Sequence, residues 1–205
     1  MNRKGDIKMI GICTKCGNHQ WDKEVKGDEI HCPKCGNSWK FIKLPLFILT
    51  GCSGIGKTTT AMEIIRRKAE FTVLDGDMFY NIMPHETEED YYDQVEQIGS
   101  LSKNLMQTGL PVLWTMAGNL DKLSKTYNSR FFREIYCLAL VCEEELLRAR
   151  MRDGRGITDE GWIQSSVDPG IWHGKQKPPF EQTAEQQKCP TFKEVSFCDT
   201  SLIPP

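Results

Sequence analysis

The chain has no long hydrophobic run. No apolar stretch approaches the roughly 20 residues that a membrane span needs, so a membrane partner is not expected. It has no apolar core behind its first residues either. Met1-Asn2-Arg3-Lys4-Gly5-Asp6 leads into a cysteine motif, and no secretion signal is read there. Nor is there an excess of charge of one sign: 26 Lys and Arg stand against 28 Asp and Glu, a formal net charge of −2. Bulk charge therefore does not mark a protein that lives on nucleic acid, although a local basic face stays open. Cysteine is abundant, nine in 205 residues. Four fall in a metal-type spacing. The other five, Cys52, Cys137, Cys142, Cys189 and Cys198, are odd in number and mostly in apolar contexts. That pattern fits reduced thiols in a cytoplasmic protein better than a disulfide framework.

Among the motifs present, the strongest is Gly51-Cys52-Ser53-Gly54-Ile55-Gly56-Lys57-Thr58, followed by Thr59. It fits G-x-x-x-x-G-K-[ST], the phosphate-binding loop of nucleoside triphosphatases. Its flanks agree: Leu46 to Thr50 reads as a buried strand, and Thr59 to Glu70 has helix formers without Gly or Pro. The glycines let backbone approach phosphate oxygens, and successive N–H groups at a helix start face the anion. Lys57 would place a point charge at the β- and γ-phosphates, and the Thr58 hydroxyl can ligate Mg²⁺. Other uses of such a loop leave signatures that are missing. There is no Asn-Lys-x-Asp base reader of a GTPase and no Leu-Ser-Gly-Gly of a transporter ATPase. A motor ATPase would show an apolar strand ending in Asp-Glu, and Cys142 sits where that Asp should be.

Cys13-Thr14-Lys15-Cys16-Gly17 and Cys32-Pro33-Lys34-Cys35-Gly36 are two C-x-x-C-G knuckles fifteen residues apart, a zinc spacing. Four thiolates close a tetrahedral Zn²⁺ shell, so Cys13, Cys16, Cys32 and Cys35 read as a structural site. His31 beside Cys32 reads as solvated or supporting, since the shell is already full. Short strands are expected at Lys8 to Ile12, Gln20 to Val25, Glu29 to His31 and Ser38 to Ile42. Residues 1–43 thus form a zinc ribbon, too small for a core of its own, whose folding free energy comes from the metal. With nine Lys and Arg against five Asp and Glu, and with Trp21 and Trp39, it could grip nucleic acid. A stapled extension docked on the main domain is slightly favoured.

Residues 44–205 alternate strands and helices. Strands are expected at 46–50, 71–74, 111–116, 134–141 and 192–198. Helices are expected at 57–70, from Thr87 to about Gln107, weakly over 120–130, over 143–152 and briefly over 159–166. Thr87-Glu88-Glu89-Asp90 resembles a capping box. The result is an α/β three-layer sandwich with a five-stranded parallel sheet, whose ligands collect at the carboxyl ends of the strands. Asp75-Gly76-Asp77 ends the second strand. A carboxylate there can take the proton of an incoming hydroxyl, with Asp77 the favoured base and Asp75 its partner or a metal-shell ligand. Arg148, Arg150, Arg152 and Arg155 follow the fourth strand, and guanidinium suits the charge that develops on a transferring phosphoryl group. Arg150 or Arg155 is the expected catalytic arginine. Residues 152–187, loop-rich with Gly154 and Gly156, are expected to form a lid that excludes water.

From about Leu44 onward the chain resembles the P-loop kinases of the nucleoside/nucleotide kinase group, particularly the polynucleotide-kinase-like and the adenylylsulfate- or chloramphenicol-phosphotransferase-like members. The matching pieces are Gly51 to Thr58, Leu74 to Asp77, Leu147 to Arg155, and Phe197-Cys198-Asp199-Thr200-Ser201. The resemblance implies ATP and Mg²⁺, transfer to a hydroxyl or phosphate, an Asp base after the second strand and arginines on the phosphates. Tyr80 stands where some of these kinases carry an Arg, and Val112 to Asn119 holds no acidic residue where many relatives have one. The expectation is an ATP-dependent kinase acting on a small molecule, a nucleoside or nucleotide, with Phe79, Tyr80, Tyr91, Tyr92 and Trp114 as candidate stacking rings. A 5′-hydroxyl polynucleotide kinase and a nucleotide-binding adaptor are the alternatives.

Overall fold

A computed structural model describes residues 10–67, 70–83, 87–117, 123–175 and 192–199. Strands β1 (Glu24–Lys26), β2 (Glu29–His31) and β3 (Ser38–Lys40) form an antiparallel sheet at the N-terminal end. The larger sheet contains β4 (Leu46–Thr50), β5 (Thr72–Asp75), β6 (Val112–Met116), β7 (Ile135–Val141) and β8 (Phe192–Asp199). Its order is β5-β6-β4-β7-β8, and every pairing is parallel. The chain therefore leaves β4 for an outer strand and returns through β6 to its other side. This puts β4 at the point where the winding reverses, where a crevice opens beyond the strand ends.

Both faces of this sheet are covered, and the period-2 alternation of side chains shows how. Leu46, Ile48, Val112, Trp114, Ile135 and Cys137 face one cluster, which is closed by Phe79 of α2 (Asp77–Ile82) and by Val95 and Ile98 of α3 (Glu88–Leu105). Leu49, Leu113 and Leu140 face the other. There they meet Ile64 of α1 (Lys57–Arg66), Leu147 of α4 (Glu144–Ala149), and Ile163 and Val167 of α5 (Glu160–Lys175). Each fully buried aliphatic contributes about 1.5–3 kcal/mol, so continuous apolar strands are what a doubly covered parallel sheet requires. Helix α3 begins where expected: Thr87 accepts from the Asp90 amide while the Asp90 carboxylate accepts from the Thr87 amide, a complete capping box.

Several expectations are corrected. Residues 10–12 form a turn leading into the first knuckle rather than a strand, and Lys8 lies outside the described residues. The strand expected at Gln20 to Val25 shrinks to Glu24–Lys26, because the Asn18 side chain takes the Gln20 amide and holds a turn. The helix expected over 120–130 is replaced, where described, by single turns at Leu123–Lys125 and Asn128–Phe131. The buried Glu96 carboxylate supplies the reason: it accepts from the Tyr127 and Asn128 amides and from Asn128 Nδ2. The loop-rich stretch expected from Asp153 is helical over Glu160–Lys175, with Met151, Ile157, Ile163 and Val167 buried. Residues 176–187 of the expected lid lie outside the described residues, as do Gly118, Asn119 and the turn at Thr200-Ser201.

The ribbon shares its core with the main domain. Ile10, Ile30, Trp39 and Phe41 cluster with Phe131 and Tyr127. Phe41 meets Phe131 edge-on at 5.9 Å, and Trp21 stacks on Tyr127 at 5.8 Å. The Lys23 amide donates to Tyr127 Oη (2.9 Å), and Ile42 exchanges two hydrogen bonds with the Gln107 side chain. Behind this joint, Lys103 is buried, donates to Asn128 Oδ1 at 2.6 Å and lies 4.4 Å over the Phe131 ring. Burial pulls its pKa down to about 8.

Candidate active site

The phosphate loop joins β4 to α1, as its flanks required. Lys57 is folded back into the loop, 9% exposed, and its Nζ donates to the Gly51 and Cys52 carbonyls at 2.9 Å each. Burial lowers its pKa, and the Asp77 carboxylate is the foremost charge opposing that shift. Asp77 follows β5, two strands over from the loop that carries Lys57. Cys52 turns its side chain into the core, where burial pushes the thiol up to about 11, so its backbone alone serves the loop. Ile55 is likewise core, whereas Thr58 and Thr59 are exposed on the first turn of α1. Thr58 is thus accessible to a metal ion.

Gly54 has two separate demands on it. Its φ is +78°, and a Cβ there would come within 2.9 Å of Met151 Cγ. The loop is packed against residues that follow β7, about a hundred positions away in sequence. Those residues, Arg150–Gly154, form a π-helical turn that continues α4. Such a turn inserts an extra residue and re-aims the side chains after it, and such turns gather at functional sites. Met151 is thereby fully buried while Arg155 reaches the loop and donates to Ser53 Oγ at 2.7 Å.

The four arginines now separate. Arg148 is held by Glu144 and Gln164, and Arg152 makes a bidentate pair with Glu160. Exposed pairs of this kind contribute about 0–1 kcal/mol and occupy the guanidinium. Arg150 directs Nη1 at Cys142 Sγ, 3.5 Å away. Arg155 is the arginine seen on the loop.

The acidic pair divides its labour. Asp75 Oδ1 accepts from the Asp77 amide (3.1 Å) and from Thr115 Oγ1 (2.9 Å). Asp77 is exposed at the start of α2. Gly76 between them lies so close to β6 that a Cβ would sit 2.6 Å from the Thr115 carbonyl. Close approach, rather than turn preference, fixes glycine there. The third strand carries no carboxylate, but Asp75 reaches its end from the neighbouring strand through Thr115.

The ring residues mostly leave the site. Trp114 is buried, with its indole N–H donating to Ser102 Oγ at 2.7 Å, and Phe79 is core. Tyr91 packs against the same cluster, and Tyr92 Oη donates to the Lys125 carbonyl. Of these five rings Tyr80 alone is exposed, at 56%.

In the ribbon, the sulfurs of Cys13, Cys16, Cys32 and Cys35 all lie within 4.8 Å of one another. Cys13 and Cys35 are 3.6 Å apart and Cys16 and Cys32 3.7 Å. A tetrahedron with Zn–S near 2.3 Å has edges of about 3.8 Å, so the set is compatible with zinc. His31 sits 4.0 Å from Glu29, outside the sulfur cluster. Gly17 and Gly36 adopt φ of +70° and +69°, the turn each knuckle needs. The sequence reading missed Asn18 and Asn37. Asn18 Nδ2 lies 3.7 Å from Cys32 Sγ and Asn37 Nδ2 lies 3.8 Å from Cys13 Sγ, each crossing to the opposite knuckle. The signal was present as C-x-K-C-G-N, written twice.

No family model matches the sequence, and no curated protein matches it. Solved structures do. A gluconokinase from Sinorhizobium meliloti 1021 superposes with a TM-score of 0.54 at 16% identity, over 81% of this chain and 86% of that one. A sugar kinase from Janibacter sp. HTCC2649 gives 0.54 at 17% identity, over 80% and 87%. A chain of the Pnkp1/Rnl/Hen1 RNA repair complex gives 0.51 at 16% identity, over 71% and 49%. At such identities the likeness is one of fold. The chain has the fold of P-loop kinases. Among the described residues no helix is long and apolar enough to cross a membrane.

Proposed function

We propose that this chain is an ATP-dependent kinase that transfers the γ-phosphoryl group to a hydroxyl of a small molecule, a nucleoside or nucleotide being the first class to test. The observation that carries it is the convergence of Lys57 and Arg155 on one side of the crevice with Asp77 on the other. Strands β4 and β5 are separated by β6 alone, so their ends stand about 10 Å apart. That gap accommodates a phosphoryl group and an attacking oxygen between the loop and the base.

In this reading the loop N–H groups and Lys57 hold the β- and γ-phosphates, and Lys57 exchanges its loop carbonyls for phosphate oxygens. Arg155 stabilises charge on the transferring group from the Ser53 side. Asp77 accepts the acceptor's proton, and Asp75 positions Asp77 through its amide. Thr58, with Asp75 nearby, would hold Mg²⁺, which supplies charge neutralisation on the phosphates. Zn²⁺ in the four-cysteine site is structural, and the ribbon serves as a docked brace: Trp39 and Phe41 are buried in the joint core with Phe131, and Trp21, still half-exposed, stacks on Tyr127.

The test is γ-labelled ATP with nucleosides, nucleotides, small hydroxyl compounds and 5′-hydroxyl oligonucleotides. Wild type should label an acceptor, while Lys57→Ala and Asp77→Asn should lose roughly 10²–10³-fold in rate. Wild-type transfer by Asp77→Asn would remove Asp77 as base. ATP binding with no labelled acceptor would favour an adaptor.

A further inference from the structure

The two sides of the crevice differ in charge in a way that bears on the acceptor. From Ala69 through Ser102 the chain has no lysine or arginine and nine carboxylates. This stretch supplies β5, α2 and nearly all of α3, the described elements around Asp77. Several cations elsewhere among the described residues are already engaged. Arg66 and Arg67 at the end of α1 are paired with Glu63, and Arg148 and Arg152 are taken by Glu144 and Glu160. Lys103 is buried against Asn128. Glu89, Asp90 and Asp93 are exposed on the first turns of α3, which Gln94 ties to the end of α2 through the Met83 carbonyl at 2.9 Å.

The surface around Asp77 is also apolar. Helix α2 turns Phe79 into the core, so its solvent side carries Asp77 with Tyr80 one turn on along the same face and Met78 beside it. Met78 and Tyr80 are 51% and 56% exposed.

We propose that the acceptor is a hydroxyl compound that carries no phosphate, sulfate or carboxylate and that lays an apolar or ring face on Met78 and Tyr80. This rests on the kinase reading and narrows it: of nucleoside and nucleotide, the uncharged nucleoside fits and the phosphate-bearing one does not. Among the described residues of this stretch, an anionic group would meet carboxylates and no guanidinium or ammonium, and like charges repel. The reaction balances with these residues alone. The acceptor O–H gives its proton to the Asp77 carboxylate, and its oxygen bonds the γ-phosphorus. The bond from that phosphorus to the β,γ-bridging oxygen breaks, ADP leaves with the electron pair, and the Asp77 proton passes to solvent.

The experiment compares acceptors matched except for charge. Nucleosides and their 3′-monophosphates share a free 5′-hydroxyl, and neutral and amine-bearing cyclic alcohols are set against carboxylate-bearing ones. Transfer from γ-labelled ATP is measured with wild type and with Tyr80→Arg. The expected result is kcat/KM at least about tenfold higher for each uncharged or amine-bearing member. Tyr80→Arg should narrow that gap by lowering KM for the monophosphate. Equal or preferred use of monophosphates or carboxylates by wild type overturns the proposal while leaving the kinase reading intact. Labelling of no acceptor, with ATP bound by wild type and released by Lys57→Ala, sinks the kinase reading and the proposal with it.

Discussion

The cysteine knuckles and the phosphate loop are built for a similar task with different reach. Both carry glycines at positive φ, Gly17 and Gly36 in the knuckles and Gly51, Gly54 and Gly56 in the loop, which suits backbone N–H groups to an anion, a thiolate in one and, in the proposed function, a phosphate in the other. The knuckles are complete within themselves. Two copies of C-x-K-C-G-N span Cys13 to Asn37, and each asparagine crosses to the other copy's first cysteine. The loop is complete only when the chain returns. Met151 fills the slot left by Gly54, and Arg155 meets Ser53 across 102 positions. A site closed locally can be held by its metal, whereas a site closed at long range depends on the sheet that brings its parts together.

Removing the proposed zinc should break this contrast most severely. Structural zinc contributes about 10–16 kcal/mol to small ribbons, more than the whole stability of a typical domain. Chelation or Cys32→Ser should therefore unfold residues 10–43. It should also free Tyr127 and Phe131, which the ribbon covers, so the thermal midpoint of the whole chain should fall. Stoichiometric zinc by elemental analysis, lost together with the near-ultraviolet signal of Trp21 and Trp39, checks this. An unchanged midpoint in the metal-free protein would show that the ribbon does not brace the sheet.

Next in size is the loop's cation. Lys57→Ala should lower phosphoryl transfer by about 10³-fold with little effect on stability, because the side chain's partners are carbonyls that water can serve. Arg155→Ala should cost about 10²-fold, partly recovered in Arg155→Lys, which keeps charge but loses the planar fork. Arg152→Ala should do almost nothing, since its pair with Glu160 is exposed. Equal losses in Arg152→Ala and Arg155→Ala would mean that the turn as a whole, and not one guanidinium, matters.

These residues also show how much could be read without coordinates. The loop, both knuckles, the capping box at Thr87 and the run of strands were legible because each is encoded in neighbouring residues or in a short period. Trp114 was misread as a candidate stacking ring. Its neighbour Ser102, which takes the indole N–H, is 12 positions away in sequence, and periodicity does not name hydrogen-bond partners. The turns at Leu123–Lys125 and Asn128–Phe131 were misread as helix for the same reason. Between these turns and at the start of the second, the Tyr127 and Asn128 amides are taken by Glu96, more than thirty residues upstream. The constraint on Gly76 went unread, because it is the carbonyl of Thr115 on the next strand. Local chemistry was visible, and what required two distant segments to meet was not.

Gly54→Ala tests the long-range closure directly. The new methyl would press on Met151 Cγ in a buried cluster and impose a side chain at positive φ. Overpacking of this kind costs roughly 1–3 kcal/mol. The π turn must then shift, and with it Arg155. Transfer should fall together with stability, and the double variant Gly54→Ala, Met151→Ala should recover part of the stability by making room. If the double variant is no better than the single one, the strain lies in the backbone angle and Met151 does not shape the loop.

The smallest expected effect probes the local closure. Asn37→Ala removes an N–H directed at Cys13 Sγ, 3.8 Å away, and leaves all four ligands in place. Groups that support metal ligands typically change affinity by about 10–100-fold when removed, and this long contact to sulfur belongs at the lower end. Competition with a chromogenic chelator should show faster zinc loss with unchanged stoichiometry. Because the two knuckles repeat one another, Asn18→Ala should produce nearly the same shift through Cys32, plus a small loss from its contact to Asp22. The repeat then makes a quantitative claim. Two equal effects that add in the double variant mean that each asparagine serves the opposite knuckle independently. An effect confined to Asn18 would mean that its turn with Gln20 and its bond to Asp22 are what the ribbon needs.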